Sequence, residues 1–266
     1  MPPASKPLLG IIGGAGRMGR WFKRCFETEG YEVLVSDKGT PLNNRDLAQR
    51  CEVIFVSVPM SVFPEVVAEI GPLLSEDQAL VDFCSLKKKQ HEIMLNCCPR
   101  AEIVAAHPLF GPGEKDLSGQ KVALWPSRGK RWFNWFKEFL ESQGAKVVIV
   151  SPEEHDRIMA IVQVINHFML LGLGRLMDES GLSLENIKNL ATPSFERQLE
   201  IVARFADQDP YLYGLIQFDN PLAEEMRQKY LEKLQKLAAI ASARDLEGFV
   251  KVFKKVQKLS RELKRD

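Results

Sequence analysis

Short apolar runs alternate with amphipathic stretches through the first half of the chain. Runs of strand length fall at residues 8–12, 31–36, 53–58, 79–83, 102–106, 122–125 and 146–150, while 17–29 and 65–74 carry helical patterning. This β-α-β rhythm predicts a parallel, doubly wound sheet with helices on both faces. After Ser151-Pro152 the rhythm stops and the pattern becomes helical throughout. Ser151 suits a helix N-cap, Pro152 the first helical position, and Glu153 and Glu154 the first turn. Ile158, Ile161, Val162, Ile165, Phe168 and Met169 then recur at helical spacing. Gly181 and Thr192-Pro193 punctuate later helices, and 222–240 and 246–263 read as two closing amphipathic helices. The expected architecture is α/β: an N-terminal Rossmann-type domain over 1–150 and a C-terminal all-helical domain over 151–266.

Composition changes this picture little. A chain of 266 residues accommodates two domains at roughly 100–200 residues each. A formal net charge of +1 provides no global field for nucleic acid or a membrane surface. The last helix gathers Lys251, Lys254, Lys255, Lys258, Arg261, Lys264 and Arg265, but Glu247, Glu262 and Asp266 dilute them, which fits a solvated face. No apolar run is expected to reach the roughly 18 residues of a membrane span, and the N-terminus lacks a signal-peptide pattern. Five cysteines, an odd number without zinc spacing, are expected as reduced thiols of a cytoplasmic protein.

Gly14-x-Gly16-x-x-Gly19 lies between the first strand and the first helix, the context a dinucleotide-binding turn requires. Gly14 is expected to make the tight turn, Gly16 to admit a pyrophosphate against the backbone, and Gly19 to allow close helix–strand packing. Free N–H groups at the helix start favour phosphates there, with Arg17 and Met18 inside the turn. Asp37 follows the second strand, near the spacing expected for the acid that holds the ribose hydroxyls. Its charge repels a 2′-phosphate, so the expected cofactor is NAD, although the neighbouring Lys38 leaves NADP open.

Ligands of doubly wound sheets sit at the carboxyl ends of the strands. Pro59 follows one predicted strand, Ser85 and Lys87 another, and His107-Pro108-Leu109-Phe110-Gly111-Pro112 a third. A histidine at a strand end, before a rigid loop, is placed for proton transfer near neutrality. Ser85 could hydrogen-bond its imidazole. By position alone His107 could equally be a structural loop histidine. Of the other histidines, His91 is expected in solvent on a polar helix, His155 as structural, and His167 as a core histidine.

These segments, together with Glu154-His155-Asp156, Asn166-His167-Phe168 and the stretch from Arg204 to Pro210, resemble the prephenate dehydrogenase family in order and spacing. The likeness is to the dehydrogenase part of bifunctional chorismate mutase–prephenate dehydrogenases. It implies oxidative decarboxylation of prephenate to 4-hydroxyphenylpyruvate with NAD, on the route to tyrosine. It implies His107 as acceptor of the ring hydroxyl's hydrogen bond, with Ser85 orienting it, and Arg204 as a carboxylate ligand. His167, Arg197 and Lys87 are implied near the substrate. Arg197 and Arg204 are seven residues apart and would share a helix face. A surface ion pair with Glu196 or Glu200 is the other reading of Arg197. Because the glycine turn begins by residue 14, no mutase segment is expected ahead of it, and because the second helical hairpin closes the sequence, no regulatory domain is expected behind the helices. The long apolar helices exceed what a small sheet can cover, which with the resemblance implies a homodimer through the helical domain. Competing readings are an arogenate dehydrogenase, a β-hydroxyacid dehydrogenase (disfavoured because 157–178 offers no obvious catalytic lysine) and a non-catalytic NAD-binding module.

Overall fold

The computed structural model describes residues 6–264. Seven strands form one sheet in the order β2-β1-β3-β4-β5-β6-β7. They are β1 (Leu9–Ile12), β2 (Val33–Ser36), β3 (Val53–Val56), β4 (Ala79–Asp82), β5 (Glu102–Pro108), β6 (Lys121–Arg128) and β7 (Lys146–Ile149). The chain enters the sheet at β1, one strand in from an edge, adds β2 at that edge, and returns across β1 to β3. That reversal opens a crevice beyond the strand ends, where doubly wound sheets bind ligands.

The sheet is not wholly parallel as expected: β5 and β6 run antiparallel. The connection between them contains no helix, so the chain turns straight back, whereas a parallel partner needs a long crossover. The crossover between β6 and β7 is α5 (Arg131–Ser142), and that pair is parallel.

Helices cover both faces. On one, α1 (Arg17–Thr28) and α5 bury Trp21, Phe22, Phe26, Trp132, Phe136 and Phe139. On the other lie α2 (Asn44–Arg50), α3 (Phe63–Ile70) and α4 (Lys88–Cys97). The apolar-run pattern does not single out α2, a short polar helix held by an Asn43–Asp46 capping box. All five cysteines are unbridged.

Beyond β7 every element is helical: α6 (Pro152–Met159), a π-helical turn (Ala160–Ile165), α7 (Asn166–Glu179), α8 (Leu184–Asn189), α9 (Pro193–Ala203), a 3₁₀ turn (Arg204–Asp207), α10 (Pro210–Asp219), α11 (Ala223–Ser242) and α12 (Leu246–Glu262). Ser151 Oγ accepts from Glu154 N at 3.3 Å, so it is the N-cap its sequence suggests. From α6 through α7 the chain is one helix of 28 residues, long and apolar enough by length and composition to cross a membrane. This corrects the expectation that no stretch reaches that length. Arg157 and Arg175 bracket a segment without Asp, Glu, Lys or Arg, although no single run within it is purely apolar. Gln163, Asn166 and His167 break the apolar pattern.

Candidate active site

The loop from β1 into α1 makes the first wall. Gly13, not Gly14, carries the left-handed backbone, with φ of +79°. Gly14 is constrained by space instead: a Cβ there would lie 2.6 Å from Val35 Cγ1. A Cβ on Gly19 would lie 2.4 Å from the Gly13 carbonyl oxygen, and one on Gly16 3.1 Å from the same atom. Glycine is therefore required at these positions by contact. Gly16 caps α1 without any side-chain hydrogen bond, so the first N–H groups of the helix keep their capacity for an anion. This cradle, which any Cβ would fill, fits a pyrophosphate. Met18 is half-buried and packs on the aromatic face of the sheet. Asp37, just past β2, accepts from Ala15 N at 2.9 Å and from Lys38 N at 2.7 Å, which fixes its carboxylate beside the turn. Pro59 is exposed just past β3.

The second wall is the end of β5. His107 is 4% exposed, and its Nδ1 lies 2.8 Å from Nε2 of His155 on α6. His155 Nδ1 lies 2.8 Å from Asp156 Oδ1. Asp156 accepts in turn from Lys87 N at 2.8 Å and Lys88 N at 3.0 Å, capping α4 from the other domain. Burial, then the neighbouring His155 and Lys87, hold the His107 imidazole well below its ordinary range. Burial also lowers His155. Both rings are therefore neutral near neutral pH.

Three expectations change here. Ser85 is half-buried near His107 in the chain's layout but makes no hydrogen bond to a described residue; His155 takes the place expected for it. Lys87 does not face a substrate. It is 3% exposed, and its ammonium pairs with buried Asp82 and donates to the Ala106 carbonyl at 2.6 Å. The cause is the burial of Asp82 at the end of β4, between β3 and β5: a charge buried there demands a partner. His91, expected in solvent, is half-buried on α4.

The third wall comes from the helical domain. Arg204 opens the 3₁₀ turn after α9 and is exposed. It approaches Tyr213 of α10 closely enough for its charge to act on that phenol, which burial raises. The Tyr213 ring lies against His167 of α7, with centroids 4.2 Å apart. Burial lowers His167 to about 4, and its Nδ1 is enclosed without a hydrogen-bond partner among the described residues. Arg17 of the glycine turn donates to the Asp207 carbonyl, which ties the Arg204 turn to the cradle. Arg197 is exposed on α9, and no ion pair with Glu196 or Glu200 forms among the described residues. The seven-residue spacing to Arg204 crosses from α-helix into a 3₁₀ turn, so it no longer spans two regular turns.

Gly13–Gly19, Asp37 and His107 thus lie on the side of the sheet where the parallel strands β1, β2 and β5 end, with the loop after His107 packed on Trp21 of α1, while Arg204, Tyr213 and His167 gather in the helical domain. Sequence reasoning missed Gly13, His155, Asp156 and Tyr213 as site residues. The Glu154-His155-Asp156 stretch was visible within the resemblance, but position in the first turn of a helix suggested a structural role.

Residues 28–149 match the family description "Prephenate dehydrogenase, nucleotide-binding domain", and residues 151–255 match "Prephenate dehydrogenase, dimerization domain". This chain belongs to the prephenate dehydrogenase family. The first match begins in the last turn of α1, so the glycine cradle stands on its own geometry. A probable arogenate/prephenate dehydrogenase of Methanocaldococcus jannaschii is 33% identical over 94% of this chain and 60% of its own length. The T-protein of Enterobacter agglomerans is 29% identical over 96% of this chain and 68% of its own length. The chain therefore spans about three-fifths to two-thirds of these relatives. The prephenate dehydrogenase of A. aeolicus, solved with hydroxyphenyl propionate and NAD+, shares the fold with a TM-score of 0.76 at 21% identity, covering 98% of this chain and 99% of the other.

Proposed function

We propose that this chain is an NAD-dependent prephenate dehydrogenase, oxidising prephenate to 4-hydroxyphenylpyruvate on the route to tyrosine. The observation that carries the reading is His107: a buried, neutral imidazole at the end of β5, hydrogen-bonded among the described residues through Nδ1 alone, on the same strand-end side of the sheet as the glycine cradle. When bound, NAD accepts the hydride that leaves the ring carbon bearing the hydroxyl. The ring carboxylate departs as carbon dioxide, and its electron pair closes the aromatic ring. His107 Nε2 accepts the hydroxyl's hydrogen bond and so raises electron density on that oxygen as hydride leaves; the product phenol keeps its proton. Ser85 stands at the same sheet end and can reach the same hydroxyl.

Prephenate carries two carboxylates, and the helical domain must answer them. Arg204 is the principal carboxylate ligand in this reading, because its planar fork stands beside Tyr213, which packs on His167, and its turn is tied to the glycine cradle through Arg17. Arg197 is the second candidate. His167, neutral and with an enclosed nitrogen unpartnered among the described residues, stacks on Tyr213 beside Arg204 and is a further candidate for substrate contact. Arg204→Ala is expected to raise the apparent KM by about 10- to 100-fold, the worth of a charge-assisted hydrogen bond, with a smaller change in kcat. Unchanged saturation in steady-state kinetics would remove Arg204 from binding.

Gly14, Gly16, Arg17, Met18, Gly19, Asp37 and Pro59 would hold the cofactor, and the acid at Asp37 favours NAD over NADP. Residues 1–150 form the cofactor domain, and 151–266 the substrate and dimer domain. Ile161 (59% exposed) and Leu176 (67% exposed) on the long apolar helix favour a second copy as their cover. Unbridged cysteines fit a cytoplasmic location. A second reading, arogenate as substrate, is supported by the name of the Methanocaldococcus relative. The test is NADH absorbance from the purified protein with prephenate and with arogenate, each with NAD and NADP. We expect signal with prephenate and NAD; signal with arogenate alone would reassign the substrate, and signal with neither would end both readings.

A further inference from the structure

We infer that His155 and Asp156, on the helical domain, are positioning residues that hold His107 in the tautomer protonated at Nδ1, leaving Nε2 as the nitrogen that accepts the substrate's hydrogen bond. The inference deepens the proposed role of His107 and rests on it for its catalytic consequence, though not for the tautomer itself.

The chain of donors and acceptors is closed at one end. Both oxygens of Asp156 accept backbone N–H groups, from Lys87 at 2.8 Å and Lys88 at 3.0 Å. Asp156 is thereby an acceptor, so in its 2.8 Å contact with His155 the proton lies on His155 Nδ1. Neutral His155 has only that one ring proton, and its Nε2 must accept. His107 Nδ1, 2.8 Å away, must then be the donor. Neutral His107 in turn has its lone pair on Nε2. Which nitrogen of a histidine is protonated follows from the hydrogen bond made by the other, and here that rule propagates through two rings.

The scaffold holds the relay in register. His155 and Asp156 are consecutive on α6, so their side chains leave the helix on different sides, one towards β5 and one towards the start of α4. Buried Asn220, at the end of α10, donates from Nδ2 to the Asp156 carbonyl at 2.8 Å and braces α6. The charged groups facing the relay are Asp82 from β4 and Lys87 ahead of α4; they pair with each other, and Lys87 disfavours a proton on either ring. The relay crosses the domain boundary. His107 belongs to the sheet, while the groups that orient it belong to the helices.

The test is a long-range 1H–15N correlation spectrum of full-length protein labelled at histidine, with the His107 signal identified by its loss in His107→Asn. We expect His107 protonated at Nδ1 and bare at Nε2; the opposite tautomer overturns the inference, whatever substrate the enzyme takes. Asp156→Asn is expected to lower kcat about 100-fold with less than about threefold change in the apparent constants for substrate and NAD. Because Asp156→Asn also disturbs the start of α4, a second pair separates positioning from packing. His155→Gln, whose amide oxygen can accept from His107 Nδ1, should retain at least about tenfold more kcat than His155→Leu, which fills the space but cannot accept. Equal rates for the two would overturn the relay. Absence of turnover with both prephenate and arogenate would instead count against the proposed function, and the spectrum would still decide the tautomer.

Discussion

His107→Asn is expected to lower kcat by about 100- to 10,000-fold, the usual worth of a side chain positioned for acid–base catalysis on a reacting hydroxyl. The apparent affinity for substrate should change little, because the proposed carboxylate ligands, Arg204 foremost, lie on the helical domain and are left in place. Asparagine is smaller than histidine and can still donate to His155, so the fold should survive; NAD binding serves as the control. Stopped-flow and steady-state NADH formation provide the measurement, and an unaltered kcat would remove His107 from the chemistry. The wild-type pH profile carries the same information. Burial holds the His107 imidazole well below the ordinary histidine value of 6.5, so its acceptor form persists into mildly acid solution. The acid limb of kcat/KM is therefore expected below pH 6.5, and a limb at or above that value would contradict a buried neutral base.

Lys87→Met is expected to destabilise the protein by about 3–5 kcal/mol, the cost of leaving one member of a buried ion pair without the other. Lys87 and Asp82 side chains are 4% and 0% exposed, so water cannot replace the lost ammonium. Asp82 would retain the N–H groups of Ala106 at 3.1 Å and Cys84 at 3.2 Å but no counter-charge. The Ala106 carbonyl would also lose a donor one residue before His107. Urea unfolding of the wild type and the variant measures the effect. A variant of wild-type stability with a raised substrate constant would restore the substrate role that the resemblance implies for Lys87.

These two residues show how far sequence reading reaches. A histidine at a strand end before a Pro/Gly loop is a local pattern, and both the strand and the loop are determined by neighbours in the chain. Lys87 lies at the end of another strand and looked equally available. Only the depth of Asp82 in the sheet, set by strands distant in sequence, decides that its ammonium is consumed there. Ser85 illustrates the same limit: adjacency of two strand ends suggests a contact, but the partner that reaches His107 arrives from α6. The antiparallel turn from β5 to β6 escaped notice because an apolar run has no direction; the missing crossover helix was the available clue.

The amino-acid pattern by itself determined the α/β sheet, the change to helices after Ser151, the glycine cradle and the strand ends that carry Asp37 and His107. These follow from periodicity, turn chemistry and spacing within short windows, where side-chain size and backbone freedom act locally. Tertiary structure alone decided that Gly13 bears the positive φ, that Lys87 pairs with Asp82, and that Asp156 and His155 orient His107 across the domain boundary. Those outcomes depend on which buried polar groups meet, because in a water-poor interior each donor must find an acceptor among residues far away in the chain.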